Sequence, residues 1–337
     1  MKLHQLRVLL ALAQHGSMHE ASRSLHVSQP ALSKAIAELE RELGVTLISR
    51  SVRGVSLTNY GRALVKRASV VEHELRHALE DIESMRGHAE AQLNIGFSAV
   101  ASSGPLPEAI AAFRARFPSV AIRAYEMRPQ QILEGLREGH LDLALISTNS
   151  GPGTSAFQWE PLFSVGMLVA ARPGHPLARA TRIRSLIDAE WLTLDPLDDP
   201  GSPLASLMRL HRLEMPRNIV QSSSNLLGLQ LATCTDLISV WSDFVFYGRT
   251  GPLVLNPDAL KPLPIRDELP DYHVFMVYRS PDLMTQTCLE FSKEVRHRGR
   301  KMASPRVAAQ AAQGAQAARA APAPAAARTR KGASTAK

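Results

Sequence analysis

The sequence predicts a multidomain chain: an all-α winged helix-turn-helix domain at the N-terminus, a linker helix, and an α/β part made of two lobes. Three observations predict it. Residues 1–67 read as short helices in close succession, followed by two β-prone pieces. From Leu64 onward apolar residues are spaced alternately by four and three positions, the period of a coiled-coil seam. Beyond Gly87, strand-like runs alternate with helical ones, the pattern of βαβ units in a largely parallel sheet. A chain of 337 residues also exceeds what one core usually serves, so two or three domains are expected.

Leu3, Leu6, Leu9, Leu10 and Ala13 recur at helical spacing and stop at Gly16, a C-cap signal. Ser17 and Glu20 fit a capping box that opens a second helix, with Ala21 and Leu25 as its buried stripe. After a turn at His26-Val27, Ser28 caps a third helix with Pro30 in its first turn, and Leu32, Ile36, Leu39 and Leu43 line one face as far as Gly44. Val45–Ile48 and Val55–Thr58 are β-prone and flank Arg50-Ser51-Val52-Arg53-Gly54, which predicts a hairpin with a basic tip, a wing beside the helices. Thr58 caps the next helix, whose seam is Leu64, Ala68, Val71, Leu75, Ala78, Ile82 and Met85. A lone helix with such a stripe needs a partner helix. Strands are expected at 93–97, 120–125, 141–146, 165–171, 191–194, 217–221, 236–240 and 273–278. Helices are expected at 105–116, 129–138, 202–212, 223–233 and 283–297. The domains are therefore placed at 1–67, 68–88 for the linker and dimerisation helix, 89–298 for the two lobes, and 299–337 for a disordered basic tail without aromatic residues or periodicity.

Charge is uneven. The net +8 includes ten Lys or Arg and no acid from Val295 onward, leaving 29 basic and 31 acidic residues before it. Residues 1–67 hold ten basic groups against four acids. Positive charge thus sits at the two ends, which points to a polyanion partner, and the tail is expected to add nonspecific DNA affinity. The longest apolar runs fall far short of the ~20 residues of a membrane-spanning helix, and no export signal is visible, so a cytoplasmic location is expected. Cys234 and Cys288 lack the spacing of a metal site and are expected to be reduced core residues.

A helix entering a major groove presents short polar side chains at its N-terminal end, with cations nearby for phosphates. Here that end reads Ser28-Gln29-Pro30-Ala31-Leu32-Ser33-Lys34. Gln29 is suited to a paired contact with adenine, Ser33 to a base edge or phosphate, and Lys34, Arg50 and Arg53 to the backbone. Any one of these residues alone would equally suit the solvated face of a three-helix bundle. Together they resemble a known family. Leu6, Gly16-Ser17, Ala21, Leu25, Val27 to Ser33, Ile36, Leu39-Glu40, Leu43-Gly44, Leu47, Arg50, Arg53, Leu57-Thr58 and Gly61 match LysR-type transcriptional regulators in order and spacing. Ile48, where the family usually has Phe, and Ser22, where Ala is common, depart from the pattern. The resemblance implies a DNA-binding regulator acting as a homodimer or homotetramer on a roughly two-fold operator, with linker helices paired antiparallel. It further implies a periplasmic-binding-protein-like C-terminal part that closes on a small-molecule effector, small organic acids being the class it suggests. RNA polymerase is a further partner the resemblance allows. No cofactor is expected.

Effectors in open α/β lobes sit beyond the carboxyl ends of strands, where helix N-termini offer free N–H groups. By that geometry, and by analogy, the candidate effector residues are Ser98, Val100, Ser102, Ser147, Ser202 and Ser223. Ser and Asn in these positions also simply cap helices. The sharpest competing motif is His73-Glu74-Leu75-Arg76-His77, a literal H-E-x-x-H on a helix. In the heptad, however, both histidines face away from the seam toward solvent, and no third ligand follows, so neither a catalytic nor a metal-binding residue is assigned. An enzyme with a zinc site there, and a solute receptor whose front end makes only protein contacts, are the alternatives to a regulator.

Overall fold

The computed structural model describes residues 1–51, 54–86, 92–102, 104–199, 201–247 and 259–302. Arg53, Gly87 and the tail from 303 lie outside them, as do the expectations placed there. α1 (Leu3–His15) ends on Gly16 in the left-handed conformation, and α2 (Met18–Ser24) starts where Ser17 Oγ accepts from Glu20 N. α3 (Gln29–Leu43) is capped by Ser28, whose Oγ accepts from Ala31 N, and ends on left-handed Gly44. Leu9, Leu12, Ala21, Leu32, Ile36 and Leu39 are buried together as the core of this unit. The turn between α2 and α3 forces His26 to φ +55°, a region costly for a residue with a Cβ. His26→Gly is therefore expected to raise the stability of this unit by ~0.5 kcal/mol, measured as a small rise in its thermal transition.

The wing is displaced from its expected place. β1 (Ile48–Ser51) pairs antiparallel with β2 (Gly54–Leu57), so Arg50 lies in a strand opposite Val55 and not at the tip. Val45 and Thr46 serve instead as the connection from α3, because Glu40 Oε1 accepts from Leu47 N (2.7 Å) and Ile48 N (3.1 Å) and fixes where pairing begins. α4 (Asn59–Met85) is the long linker helix. Its first apolar positions are spent within the chain: Ala68 is buried, Leu64 packs on the core of the N-terminal unit, and Arg7 on α1 holds Glu72 through its Nε at 3.0 Å.

The C-terminal part is one mixed sheet bent into two lobes. In the first lobe β3 (Gln92–Phe97), short α5 (Ala99–Ser102), α6 (Leu106–Arg116), β4 (Ala121–Glu126), α7 (Pro129–Glu138) and β5 (Leu143–Thr148) give three parallel strands with β3 central. β6 (Gln158–Ala171) is twice as long as expected and crosses from this lobe to the next. There β7 (Trp191–Thr193), α8 (Pro203–Leu210), β8 (Ile219–Gln221), α9 (Asn225–Cys234) and β9 (Ile238–Ser242) make a second parallel set, followed by α10 (Phe244–Tyr247). β10 (Lys261–Pro262) pairs with the end of β6, and β11 (Asp271–Tyr278) returns between β5 and β6, antiparallel to both. α11 (Gln286–Gly299) then packs beside α6, with Phe113 edge-on to Phe291 at 5.4 Å, two fully buried rings worth ~2 kcal/mol each. The sheet is thus two parallel sets joined through antiparallel β6 and β11, less uniformly parallel than the alternation suggested. Cys288 is buried as expected, but Cys234 is exposed at the end of α9, whose inward face is taken by Gly228, Leu229 and Ala232.

Candidate DNA-recognition surface and effector cleft

At the start of α3 the predicted base-reading residues are brought together on one exposed edge. Ser28 is occupied as the cap, and Gln29, Pro30 and Lys34 are exposed. Gln29 Nε2 donates to His19 Nδ1 at 3.0 Å, so α2 steadies the side chain that leads into the groove. Arg50 Nη2 donates to Ser33 Oγ at 2.9 Å and ties the wing to the recognition helix. His19 was not legible as a site residue, since its own neighbours mark only a helix start. Arg53 lies outside the described residues.

The C-terminal ends of β3, β4 and β5 lie where the two lobes meet. Ser98 and Ser147 are buried there and touch: the two Oγ atoms are 2.9 Å apart and Ser147 N donates to Ser98 Oγ at 2.9 Å. The other candidates do not join them. Val100 packs half-buried on the first lobe's core, and Ser102 Oγ donates to Ala99 O within its own short helix. Ser202 is the buried cap of α8, accepting from Ala205 N, and Ser223 is exposed beside Ser222, whose Oγ accepts from Ser224 N. Sequence reading missed the residues that bridge the lobes. Asn149 Nδ2 donates to Ser206 Oγ at 2.6 Å, Asn225 donates to Glu126, and Tyr272 on β11 donates to Gly201 O at 2.7 Å and lies 3.2 Å from Ser206. The one available signal was Asn149 and Asn225 at the expected strand and helix ends.

These bridges sit among shifted acids. Burial raises the Glu126 carboxyl above its ordinary range. Burial, then the charge of Asp199, pushes Asp195 up to about 6, against the opposing pull of Arg128 from the first lobe. Burial likewise pushes the Tyr272 phenol up, keeping it a hydrogen-bond donor. A cleft whose polar groups satisfy one another across two lobes can accept a small polar molecule that takes over those bonds.

The expected outward orientation of His73 and His77 is wrong. Each is only 6% exposed, because α4 lies along the first lobe against α7 and turns that face inward. Gly139, at φ +79°, ends α7 where a Cβ would stand 2.7 Å from His73. Exposure falls instead on Val71 (44%), Leu75 (37%), Leu79 (60%) and Ile82 (46%).

A winged helix-turn-helix joined by a long helix to a two-lobed α/β part with an interlobe cleft defines a ligand-responsive DNA-binding regulator. Residues 3–62 match the profile described as "Bacterial regulatory helix-turn-helix protein, lysR family", and residues 86–300 match "LysR substrate binding domain". The chain belongs to the LysR family of transcriptional regulators, whose members regulate transcription and are not enzymes. It is 29% identical over 266 residues to the HTH-type transcriptional regulator GbpR of Azospirillum brasilense, covering 76% of this chain and 77% of that protein. To the hydrogen peroxide-inducible genes activator of Haemophilus influenzae it is 34% identical over 197 residues, covering 58% of this chain and 65% of that one. Two solved structures share the fold: CbnR, with a TM-score of 0.64 at 19% identity over 89% of this chain and 99% of that one, and a full-length OxyR variant from Pseudomonas aeruginosa, with 0.62 at 22% identity over 88% and 95%. No helix among the described residues is long and apolar enough to cross a membrane.

Proposed function

We propose that this regulator works in the cytoplasm and reads a two-fold operator by inserting the N-terminal end of α3 into the major groove. Gln29 and Ser33 meet base edges there, Pro30 shapes the entry, Ser28 holds the helix start, and Lys34, Arg50 and Arg53 contact phosphates. The carrying observation is the exposed end of α3, with Gln29 steadied by His19 and Ser33 joined to the wing by Arg50. Residues 1–67 are the reading head and residues 68–88 the connection. The exposed stripe Val71, Leu75, Leu79 and Ile82 is the face on which a second copy pairs, as dimer or tetramer, because a seam this apolar is unfavourable in water. In residues 89–298 a small-molecule effector, an organic acid by the family resemblance, binds between the lobes at Ser98 and Ser147 and displaces the Asn149–Ser206 and Glu126–Asn225 bridges. Such a change in lobe closure is passed through the paired helices to the heads and to RNA polymerase. The basic tail adds nonspecific affinity for DNA.

The test is capture of genomic fragments by the purified chain at physiological salt. A few recovered sites sharing a dyad sequence are expected; uniform recovery that vanishes with salt contradicts the reading. Gln29→Ala should weaken binding to the recovered site about tenfold and leave nonspecific binding intact. Equal loss on every sequence would mean that Gln29 reads no base.

A further inference from the structure

The buried face of α4 carries chemistry that DNA reading does not use. His73 and His77, one turn apart, both aim Nε2 at the same oxygen of Asp142: His77 Nε2 is 2.8 Å and His73 Nε2 3.3 Å from Oδ1. Asp142 lies just before β5, and its second oxygen accepts from Asn94 N at 2.6 Å and Asn94 Nδ2 at 3.3 Å, which fixes the carboxylate and leaves Oδ1 for the imidazoles. The three side chains are nearly sequestered, at 5%, 7% and 3% exposure. Hydrogen bonding does not complete the cluster. His73 Nε2, one of the atoms that face the site, is buried with only a long 3.3 Å contact to Oδ1, and His77 Nδ1 is buried with no hydrogen-bond partner. Buried polar atoms left this way are uncommon and point to a missing partner.

We propose that His73, His77 and Asp142 form a site for a divalent transition metal of the zinc class, tying the linker helix to the first effector lobe. Two imidazoles at i and i+4 on a helix with one carboxylate is a donor set that suits zinc. Bonds of ~2.0–2.2 Å at tetrahedral angles place ligand atoms roughly 3.3–3.6 Å apart. The His73–Asp142 separation already fits, all three ligand atoms lie within 4.8 Å of one another, and the His77–Asp142 separation of 2.8 Å must open by about half an ångström. A cavity of about 10 Å³ borders His77 and Asp142, room for roughly one water as fourth ligand. The close approach of Gly139 to His73 keeps the helix near enough for both domains to contribute. Arg76 Nη2 stands 2.7 Å from His73 Nδ1, so metal binding turns this half-exposed guanidinium outward as His73 moves its proton to Nδ1. Catalysis is not the role: Glu74, the base position of H-E-x-x-H, is ion-paired with Arg279. The metal is a second input, acting where the DNA heads join the lobes rather than in the cleft.

The full chain, without a polyhistidine tag, is stripped with chelator and titrated with Zn²⁺ by calorimetry. One equivalent is expected to bind and to raise the thermal midpoint, with His77→Gln and Asp142→Asn each losing stoichiometric binding or weakening it at least tenfold. No binding by the native chain, or undiminished binding by either folded variant, overturns the proposal. Should a variant fail to fold, the native chain decides. Co²⁺ in place of Zn²⁺ should give the intense visible bands of four-coordinate cobalt, and these should be lost in His77→Gln. Only the weak bands of six-coordinate cobalt would overturn it.

Discussion

Gly61→Ala is expected to destabilise the N-terminal unit by ~2–3 kcal/mol, although alanine is the better helix former by about 1 kcal/mol. Gly61 lies in the first turn of α4 and donates its N–H to Thr58 Oγ1 at 3.1 Å; Thr58 Oγ1 in turn donates to Thr46 O at 2.7 Å. A Cβ at position 61 would stand 2.1 Å from the Leu47 carbonyl oxygen and 3.0 Å from its carbon. That neighbour is backbone, pinned at both ends: Leu47 N donates to Glu40 and Leu47 O accepts from Thr58 N. It cannot rotate aside as a side chain would, so helix and wing must separate. By calorimetry the transition of the N-terminal unit should fall by roughly 10 °C while that of the α/β part stays in place. An unchanged or raised transition would mean that helix and wing are not held this close. Because the same junction sets the angle at which each reading head leaves the linker helix, the variant should also lose preference for the native half-site spacing.

What the sequence made legible follows from how locally each feature is determined. The helix starts at Ser17 and Ser28 and the ends at Gly16 and Gly44 are set within a few residues, and all four fall where capping chemistry puts them. The wing strands were misplaced because β-propensity at Val45-Thr46 competes with a longer-range restraint, the Glu40 carboxylate on Leu47 and Ile48. The length of β6 was half hidden for a similar reason: Gln158–Ser164 alternates weakly and becomes a strand only because β11 returns beside it. Heptad arithmetic located Val71, Leu75 and Ile82 of the exposed stripe but left out Leu79, and it placed the histidines in water, since it describes a helix by itself and says nothing of a lobe folding back onto its other face. The cleft was legible only as positions beyond strand ends. Ser98 and Ser147 meet there, whereas Asn149, Ser206, Tyr272 and Glu126 are joined by contacts 57 to 99 residues apart in sequence, which no local pattern encodes.

Asp195 makes the stability of the α/β part depend on pH in the direction opposite to that of a salt-bridged carboxylate. It follows β7, its N–H donating to Thr193 Oγ1, and faces Asp199 in its own lobe and Arg128 across the cleft. Burial and the Asp199 charge outweigh Arg128 and push its pKa up to about 6 from 3.8. The folded state therefore binds the proton more tightly than the unfolded one. Its favourable contribution is complete below about pH 4 and is lost as pH rises through 6. The shift corresponds to ~3 kcal/mol if taken whole, and to about 2 kcal/mol once the half-buried position of the side chain is allowed for. Asp195→Asn removes the ionisation while keeping the shape. The variant should melt several degrees above the native chain at pH 7.5 and converge with it near pH 3.5, as read from the transition of the α/β part. A gap that did not change with pH would place the Asp195 carboxyl in open water.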